Sequence, residues 1–587
     1  MRKIIQNISI CIFLLSHIAF AQSVLLTYPS QNQLNVNPVT NIAVVFNVPI
    51  NPNTINDSTF IVYGRETGKR VGLYGYDASS MTAEFNPAKD FAIGEVVTVI
   101  LTKGIKTLAG NPLSKPYQWN FTIKAGEAEA NFENKIGYYI GSYPEAVVAV
   151  DLNNDGYADV AVAKGEDSIT VLLNNGEGAF NSKTNYYSKP SPCSIYASDL
   201  DNDGDIDLVT ANGRCDSIVI FPNNGDGTFG QAIFYTTGDC PVDVIAADFN
   251  GDGYKDLAVA NAWSWTFSVF MNNGNGGFMP KVDYPAIHHI HSVLAFDIDN
   301  DGDMDIAFSG DSDNMADSIF VYKNQGNGTF TGKKGYQTGR YPYAMCTSDF
   351  NGDGYADLAV TNYYHLDFSI LLNNGNGSFL PRANYYVGVH PSSVFPADYD
   401  GDGDMDLAIP YLAFWGSRHD SLAIFFNDGN GIFSTRKDFP ADSQSSCVYG
   451  SDIDKDGDID LVVTNRMMSK KVTVFLNSNH TGVVSQQELP SIYCLSQNYP
   501  NPFNSRTTIS YSIGIRSYVS LKIYDVLGRE IVTLVDGIKE AGKHIVEWDG
   551  MNLLGQKVNS GIYFYRLKSK ENFVITKKMI LLNKEEK

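Results

Sequence analysis

Apolar and polar positions along this chain follow a period of two, in short runs bounded by turn residues, which is the pattern of strands and not of helices. Ile42-Ala43-Val44-Val45-Phe46 and Val97-Thr98-Val99-Ile100-Leu101 alternate, while Val160-Ala161-Val162, Leu208-Val209-Thr210 and Leu461-Val462-Val463 are short apolar runs that each follow an acidic loop. Turns such as Asn174-Asn175-Gly176-Glu177-Gly178-Ala179-Phe180 and Asn373-Asn374-Gly375-Asn376-Gly377-Ser378-Phe379 end other runs. Their Asn-Gly pairs supply the positive φ angles of a hairpin. A Phe stands nineteen residues before each acidic loop, at Phe132, Phe180, Phe229, Phe278, Phe330, Phe379 and Phe433. Each unit reads as strand, acidic loop, strand, loop, strand, Asn-Gly turn, strand. Four strands in about fifty residues, seven times over, predict an all-β chain with a seven-bladed β-propeller at 130–482.

The ends of the repeat array explain how the ring closes. The seventh unit stops after Val472-Thr473-Val474-Phe475-Leu476-Asn477 and lacks the Gly-x-Gly-x-Phe turn and a fourth strand. At the other end, Phe132 to Tyr138-Tyr139 to Pro144 matches Phe180 to Tyr186-Tyr187 to Pro192 in spacing, with no blade before it. Residues 132–139 are therefore expected to be the outer strand of blade seven, which removes a free sheet edge.

The acidic loops carry chemistry. Each is a nine-residue pattern with an oxygen ligand at positions 1, 3, 5 and 9 and glycine at position 6. The candidate ligands are Asp151, Asn153, Asp155, Tyr157 and Asp159; Asp199, Asp201, Asp203, Asp205 and Asp207; Asp248, Asn250, Asp252, Tyr254 and Asp256; Asp297, Asp299, Asp301, Asp303 and Asp305; Asp349, Asn351, Asp353, Tyr355 and Asp357; Asp398, Asp400, Asp402, Asp404 and Asp406; and Asp452, Asp454, Asp456, Asp458 and Asp460. A hard divalent cation takes six to eight oxygens at about 2.3 to 2.6 Å, and short side chains on alternate positions of a tight turn converge on one point. Position 7 varies between Tyr and Asp, so its backbone carbonyl is the expected ligand there. The twelfth position is Val162, Thr210 or Val259 where an EF-hand needs Glu, and apolar strand residues follow, so the loops join strands. About seven Ca²⁺, one per blade, are expected.

These units resemble the FG-GAP or VCBS-type repeats of integrin α-subunit-like propellers. The resemblance implies adhesion, carbohydrate binding or, in some relatives, catalysis, because one fold serves many functions.

Outside the propeller, Met1-Arg2-Lys3, the apolar run Ile8 to Ile18 and Ala19-Phe20-Ala21 read as a secretory signal peptide over 1–21, with cleavage after Ala21. No later segment offers the eighteen or more apolar residues of a membrane span. Residues 22–125 have the length and alternation of an immunoglobulin-like sandwich. From Tyr28-Pro29-Ser30 through Phe46-Asn47-Val48-Pro49-Ile50 and Ala109-Gly110-Asn111-Pro112-Leu113 to Phe121-Thr122 they resemble bacterial Ig-like domains, which implies a spacer or adhesion module. After a linker at 483–494, residues 495–587 read as a second small β-sandwich. Its Tyr499-Pro500-Asn501-Pro502-Phe503-Asn504, Tyr524-Asp525-Val526-Leu527-Gly528-Arg529, Trp548-Asp549-Gly550 and Ser560-Gly561-Ile562-Tyr563 resemble type A sorting domains of type IX secretion. That implies contact with the secretion machinery, passage across an outer membrane, and removal of the domain with surface attachment or release. An ordinary Ig-like module related to flagellar hook-cap domains is the alternative.

The net charge of −22 excludes a nucleic-acid partner held by basic phosphate contacts. Seven divalent ions would reduce that to −8, so much of the acidity belongs to the metal loops. Cys193, Cys215 and Cys240 fall in loops on one face of blades two and three, where an exported protein permits one disulfide; buried free thiols are the other reading.

All variation in repeat length lies between an acidic loop and the next Phe, where the intervals are 29, 30, 30, 33, 30 and 35 residues. The insertions at Ser309 to Ser318 and Tyr411 to Ser421 thus fall opposite the metal loops, the layout of a binding surface on a rigid scaffold. Candidates on that face are Trp263 and Trp265, Tyr363, Tyr364 and His365, and Phe414, Trp415, Arg418 and His419, with His288, His289 and His291 near His390 as a further cluster open to a transition metal. Two functions follow. One is an exported surface or secreted protein that binds glycan or protein through this face; the other is a propeller enzyme, a polysaccharide lyase or hydrolase, whose catalytic residues no motif identifies.

Overall fold

The computed structural model describes residues 23–126, 128–310, 317–412, 421–442, 444–466, 469–477 and most of 494–581. The expected signal peptide and nearly all of the expected linker at 483–494 lie outside the described residues. The chain divides into two compact units, Met1–Asn479 and His480–Lys587.

Within the first unit, seven four-stranded antiparallel sheets follow one another in sequence. Blade one is typical, with Pro144–Val150 innermost, then Asp159–Lys164, Ser168–Asn174 and Phe180–Tyr187. The second strand of every blade is buried throughout or nearly so, as in Asp207–Asn212 and Asp256–Asn261. The outer strand is mostly exposed, as in Phe180–Tyr187 and Ile233–Thr236. That gradient is why the middle strands read as continuous apolar runs. Blade seven takes Ser445–Ser451, Asp460–Asn465 and Lys471–Leu476 from the end of the array and Asn134–Tyr139 from its start. Asn134 pairs with Leu476 and Tyr139 with Lys471, so the ring has no open edge.

Two circles of side chains fasten the blades. The Phe of each blade meets, edge to face, an aromatic ring on the outer strand of the blade before it: Tyr138 and Phe180 at 5.3 Å, Tyr186 and Phe229 at 5.2 Å, Tyr235 and Phe278 at 5.6 Å. Tyr284 meets Phe330, Tyr336 meets Phe379, Tyr385 meets Phe433, and Phe439 completes the circle on Phe132 at 5.5 Å. Such pairs prefer this geometry and add about 0.5 to 1.5 kcal/mol each to their burial. The second circle is polar. Asn174, Asn223, Asn272, Asn324, Asn373, Asn427 and Asn477 each donate a side-chain N–H to the carbonyl of the second loop residue of the preceding blade, at 2.7 to 2.9 Å.

The N-terminal domain has two sheets. Val24–Tyr28, Ile42–Phe46, Thr82–Pro87 and Gly72–Asp77 form one; Gln33–Val36, Tyr117–Ile123, Val96–Leu101, Phe60–Gly64 and Gly68–Lys69 form the other. Trp119, Phe46, Phe60, Phe85 and Phe121 fill the space between them.

This domain is docked onto the propeller, on the face that carries the acidic loops, and it reaches all seven. Asp151 donates its backbone N–H to the Glu66 carbonyl at 3.0 Å, and the Gly302 and Gly457 carbonyls accept from the backbones of Gln118 and Gly126 at 3.2 and 2.7 Å. Asn32 and Asn35 donate their side-chain amides to the Gly354 and Gly403 carbonyls at 3.1 and 2.6 Å. Tyr63 and Lys69 both donate to Asn202, and Lys255 of the third loop lies over the Tyr63 ring. At the centre, the tip joining Phe60–Gly64 to Gly68–Lys69 is buried. The Arg65 guanidinium stands 4.9 Å from the Phe395 ring and 5.7 Å from Tyr449, and Glu66 Oε2 accepts from Ser451 Oγ at 2.8 Å. Glu95 holds the tip from behind, its Oε1 accepting from Glu66 N, Thr67 N and Thr67 Oγ1. Burial pushes the Glu66 carboxyl up to about 8 despite the Arg65 charge beside it.

The second unit pairs Cys494–Leu495, Thr507–Ile513 and Gly542–Trp548 in one sheet and Glu530–Lys539, Ser517–Tyr524, Gly561–Ser569 and Val574–Leu581 in another, around Trp548, Tyr511 and Tyr565.

Candidate metal centres and the opposite face

Each acidic loop leaves an innermost strand and returns into a second strand, and its backbone is organised by its own carboxylates. In loop one, Asn153 Oδ1 accepts from Asp155 N, Asp155 Oδ1 from Tyr157 N, and Asp151 Oδ2 from Gly156 N at 2.8 Å. Gly156 has φ 91°, which favours glycine at position 6, and Asn154 at position 4 is also left-handed at 61°. Position 4 keeps that conformation in all seven loops, through Asn154, Asn202, Gly251, Asn300, Gly352, Gly401 and Lys455.

The position-9 aspartate belongs to the scaffold as well as to the site. Asp159 accepts from Leu152 N at 3.1 Å and from Asn174 N at 2.7 Å, and the other six repeat both bonds. Burial nevertheless pushes these carboxyls up, Asp207 to about 8 and Asp406 to about 9, with backbone donors working against it.

Carboxylate oxygens converge in four loops. Asp297, Asp299 and Asp305; Asp398, Asp400 and Asp406; and Asp452, Asp454 and Asp460 bring positions 1, 3 and 9 together, while Asp199, Asp201 and Asp203 bring positions 1, 3 and 5 together, each set within 4.8 Å. Loops one, three and five carry Asn153, Asn250 and Asn351 at position 3, a neutral oxygen in the same place. Buried Oδ1 atoms of Asp151, Asp199 and Asp452 have no hydrogen-bond partner, a state that an electropositive ligand relieves. This all-oxygen set suits a hard divalent cation. The position-7 side chain turns elsewhere: Tyr157, Tyr254 and Tyr355 cover Gly176, Gly274 and Gly375 of the Asn-Gly turns, and Asp205, Asp303 and Asp404 lie against Gly225, Gly326 and Gly429.

On the opposite face, the expected aromatic candidates separate into two groups. Trp263 is 68% exposed, and Trp265 stacks on His288 with ring centroids 3.6 Å apart. The second group is continuous. His291 lies 4.4 Å from Tyr341 and 5.2 Å from Tyr343; Tyr363 is 5.4 Å from Tyr343, 5.2 Å from Tyr364 and stacked at 4.2 Å on His390. Burial lowers His291 to about 4 and raises Tyr343 to about 12, so these two rings are uncharged near neutral pH. Glu145 of blade one and Arg466 of blade seven pair at 2.9 Å. His365 Nδ1 contacts Asp367 Oδ2 at 2.7 Å.

The histidines do not converge as a set of metal ligands among the described residues. His288 goes to Trp265, His291 to Tyr341 and Tyr343, and His390 to Tyr363, His289 is exposed, and every converging group of metal-type ligands among the described residues is made of aspartates. Phe414, Trp415, Arg418 and His419, and most of the insertion at Ser309 to Ser318, lie outside the described residues. The disulfide weighed for Cys193, Cys215 and Cys240 is also absent. All three thiols are free, and Cys193 Sγ is turned to the Ala211 and Pro241 carbonyls at 3.3 Å each. Sequence reasoning missed Tyr341, Tyr343, the Glu145–Arg466 pair and the seven asparagines. Of these, only the asparagines left a signal, a fixed place six residues before the Phe of blades one to six, as Asn174 stands to Phe180 and Asn427 to Phe433.

Comparison with known proteins agrees with this architecture. Bacterial Ig-like domain matches residues 21–123, FG-GAP-like repeat matches 151–210, 199–259, 248–308, 307–360 and 349–409, and Secretion system C-terminal sorting domain matches 497–582. The chain is thus an all-β protein with an Ig-like domain, an FG-GAP propeller and a sorting domain, exported through type IX secretion to the cell surface or beyond. Among the described residues no helix is long and apolar enough to cross a membrane. No curated protein matches the chain. Among solved structures it is similar to an Agrocybe aegerita lectin described as recognising non-reducing terminal N-acetylglucosamine, at 20% identity and TM-score 0.37 over 66% of this chain and 91% of that one. It is also similar to PorZ of Porphyromonas gingivalis, described as an essential surface component of the type IX secretion system, at 11% identity and TM-score 0.36 over 94% and 75%. A protein of unknown function from Desulfotomaculum acetoxidans matches at 13% identity and TM-score 0.36 over 66% and 98%.

Proposed function

We propose that this exported protein is a calcium-stabilised binding or adhesion protein that recognises glycan or protein through the propeller face opposite the acidic loops. The observation that carries the reading is the division of the two faces. Within the first unit the Ig-like domain contacts all seven loops on one face and leaves the other to the blades, where His291, Tyr341, Tyr343, Tyr363, Tyr364 and His390 form one aromatic patch and Trp263 and Trp265 belong to a second group. Rings that carry a hydroxyl or ring nitrogen offer a stacking surface and hydrogen bonds together, which suits a sugar ring or a peptide.

Each loop would hold one Ca²⁺ through positions 1, 3, 5 and 9 and the position-7 carbonyl. When bound, the ions would neutralise carboxylates that the fold has taken out of water. The decisive experiment applies the full exported chain to a glycan array and to surface-protein extracts in calcium, then incubates each hit with the protein and analyses it for cleavage. Binding that is lost in Tyr363→Ala, without cleavage, supports the reading. Cleavage identifies the lyase or hydrolase alternative, and binding unchanged in Tyr363→Ala overturns the assignment of the face.

A further inference from the structure

Blade seven departs from the other blades at position 7. In blades two, four and six the position-7 carboxylate lies against the glycine of the blade's own turn, as Asp205 does at Gly225. Blade seven takes its outer strand from Asn134–Tyr139, so its third strand is not followed by such a turn into a fourth. The segment leaving the Ig-like domain runs past the loop, and Gly126 donates its N–H to the Gly457 carbonyl at 2.7 Å. Beneath that contact Asp458 is only 2% exposed, and neither of its carboxylate oxygens has a hydrogen-bond partner among the described residues.

An ionised carboxylate in that position is costly unless a cation compensates it. Among the described residues no Lys or Arg forms an ion pair with Asp458. The like charges of Asp456, Asp454 and Asp452 around it worsen the imbalance. Asp454 and Asp452 already converge with Asp460 on the centre of the loop. Asp458 is not among the carboxylates that converge on that centre, and the Asp456 charge acts on it most strongly.

We propose that Asp456 and Asp458 hold a second hard divalent cation, of calcium's class, next to the one centred on Asp452, Asp454 and Asp460 and covered by the chain at Gly126. An all-carboxylate site with one exposed and one buried ligand suits an oxygen-seeking ion that keeps part of its water shell. The ion would tie the exit of the Ig-like domain to the last blade. The proposal rests on the metal reading of the loops, and its test separates the two.

Native mass spectrometry of the full chain after calcium saturation counts the retained ions. Asp458→Asn should retain one ion fewer than the wild type. It should also gain less in melting temperature from calcium while melting no lower than wild type in chelator, because the amide removes the uncompensated charge. Asp456→Asn, at an exposed position and with an oxygen left for the loop ion, should lose one ion as well. A wild type that retains no calcium overturns the metal reading altogether. A wild type that retains calcium, with Asp458→Asn and Asp456→Asn retaining equally many, overturns the second site alone.

Discussion

The side-chain amide of Asn174 donates to the carbonyl of Ile453 at 2.8 Å, so blade one is joined to blade seven by the same bond that joins every other neighbouring pair. The same amide also reaches the Ala158 carbonyl at 3.0 Å, and the groups involved are buried. Asn174→Ala leaves two buried carbonyls unpaired, and the expected cost is about 2 to 3 kcal/mol. It is read as a lower urea midpoint at unchanged slope. Asn223→Ala, which frees the carbonyls of Leu152 and Ile206 inside the ring, should cost about the same. A closure bond much weaker than the internal one would mean that the seam between first and last blades is held by other contacts.

Chelation should reverse the pH dependence of stability. The position-9 carboxyls sit well above their ordinary value of 3.8, Asp207 at about 8 and Asp406 at about 9, so the folded protein binds protons that the unfolded chain has released. Such groups give stability that is complete below their ordinary value and lost as pH rises through about 7 to 9. In chelator the melting temperature should therefore climb from about pH 8 to about pH 5. In calcium it should fall over the same range, because protons compete with the ion for the same oxygens. Parallel melting curves with and without chelator check both slopes.

The propeller was legible because its repeats are physically constrained twice over. Loop geometry fixes the acidic positions, and the nineteen-residue interval fixes the distance from each Phe to the next loop. What that interval does became visible only in contacts such as Tyr186 with Phe229, since the partner ring lies on the previous blade and its spacing to the Phe varies. The docking of the Ig-like domain left no trace in the hydrophobic pattern. It is made largely through backbone carbonyls of Gly302, Gly354, Gly403 and Gly457, which any sequence possesses, and through scattered donors such as Asn32 and Asn35. The histidines adjacent in sequence have different settings, His291 in the strand Ile290–Phe296 and His288 in the loop before it, and spacing alone carries no sign of that.

Arg65 makes the docking testable at a single residue. Its guanidinium is buried against Phe395 and Tyr449 and faces Glu66. Arg65→Ala removes a desolvated cation–π contact of about 2 kcal/mol and strips Glu66 of its nearest compensating charge. Limited proteolysis should then release the Ig-like domain by cleavage around Gly126 at protease concentrations that leave the wild type intact. Arg65→Lys should rescue poorly, since a point charge cannot stack its plane on two rings.

Trp263 separates ligand binding from stability. Its side chain is 68% exposed on the free face, so Trp263→Ala should leave the melting temperature within about 1 °C of wild type, the usual outcome for a surface position. If the face is the receptor, the same substitution should weaken any ligand found on the array by about tenfold, roughly 1.4 kcal/mol. Tyr363→Ala should weaken binding too, but it also removes the ring stacked on His390 and packed near Tyr343, so some stability should be lost with it. The contrast matters more than either value. Affinity lost in both variants with stability lost in only one places the ligand on the aromatic patch; affinity retained in Trp263→Ala confines the contact to the rings around Tyr363.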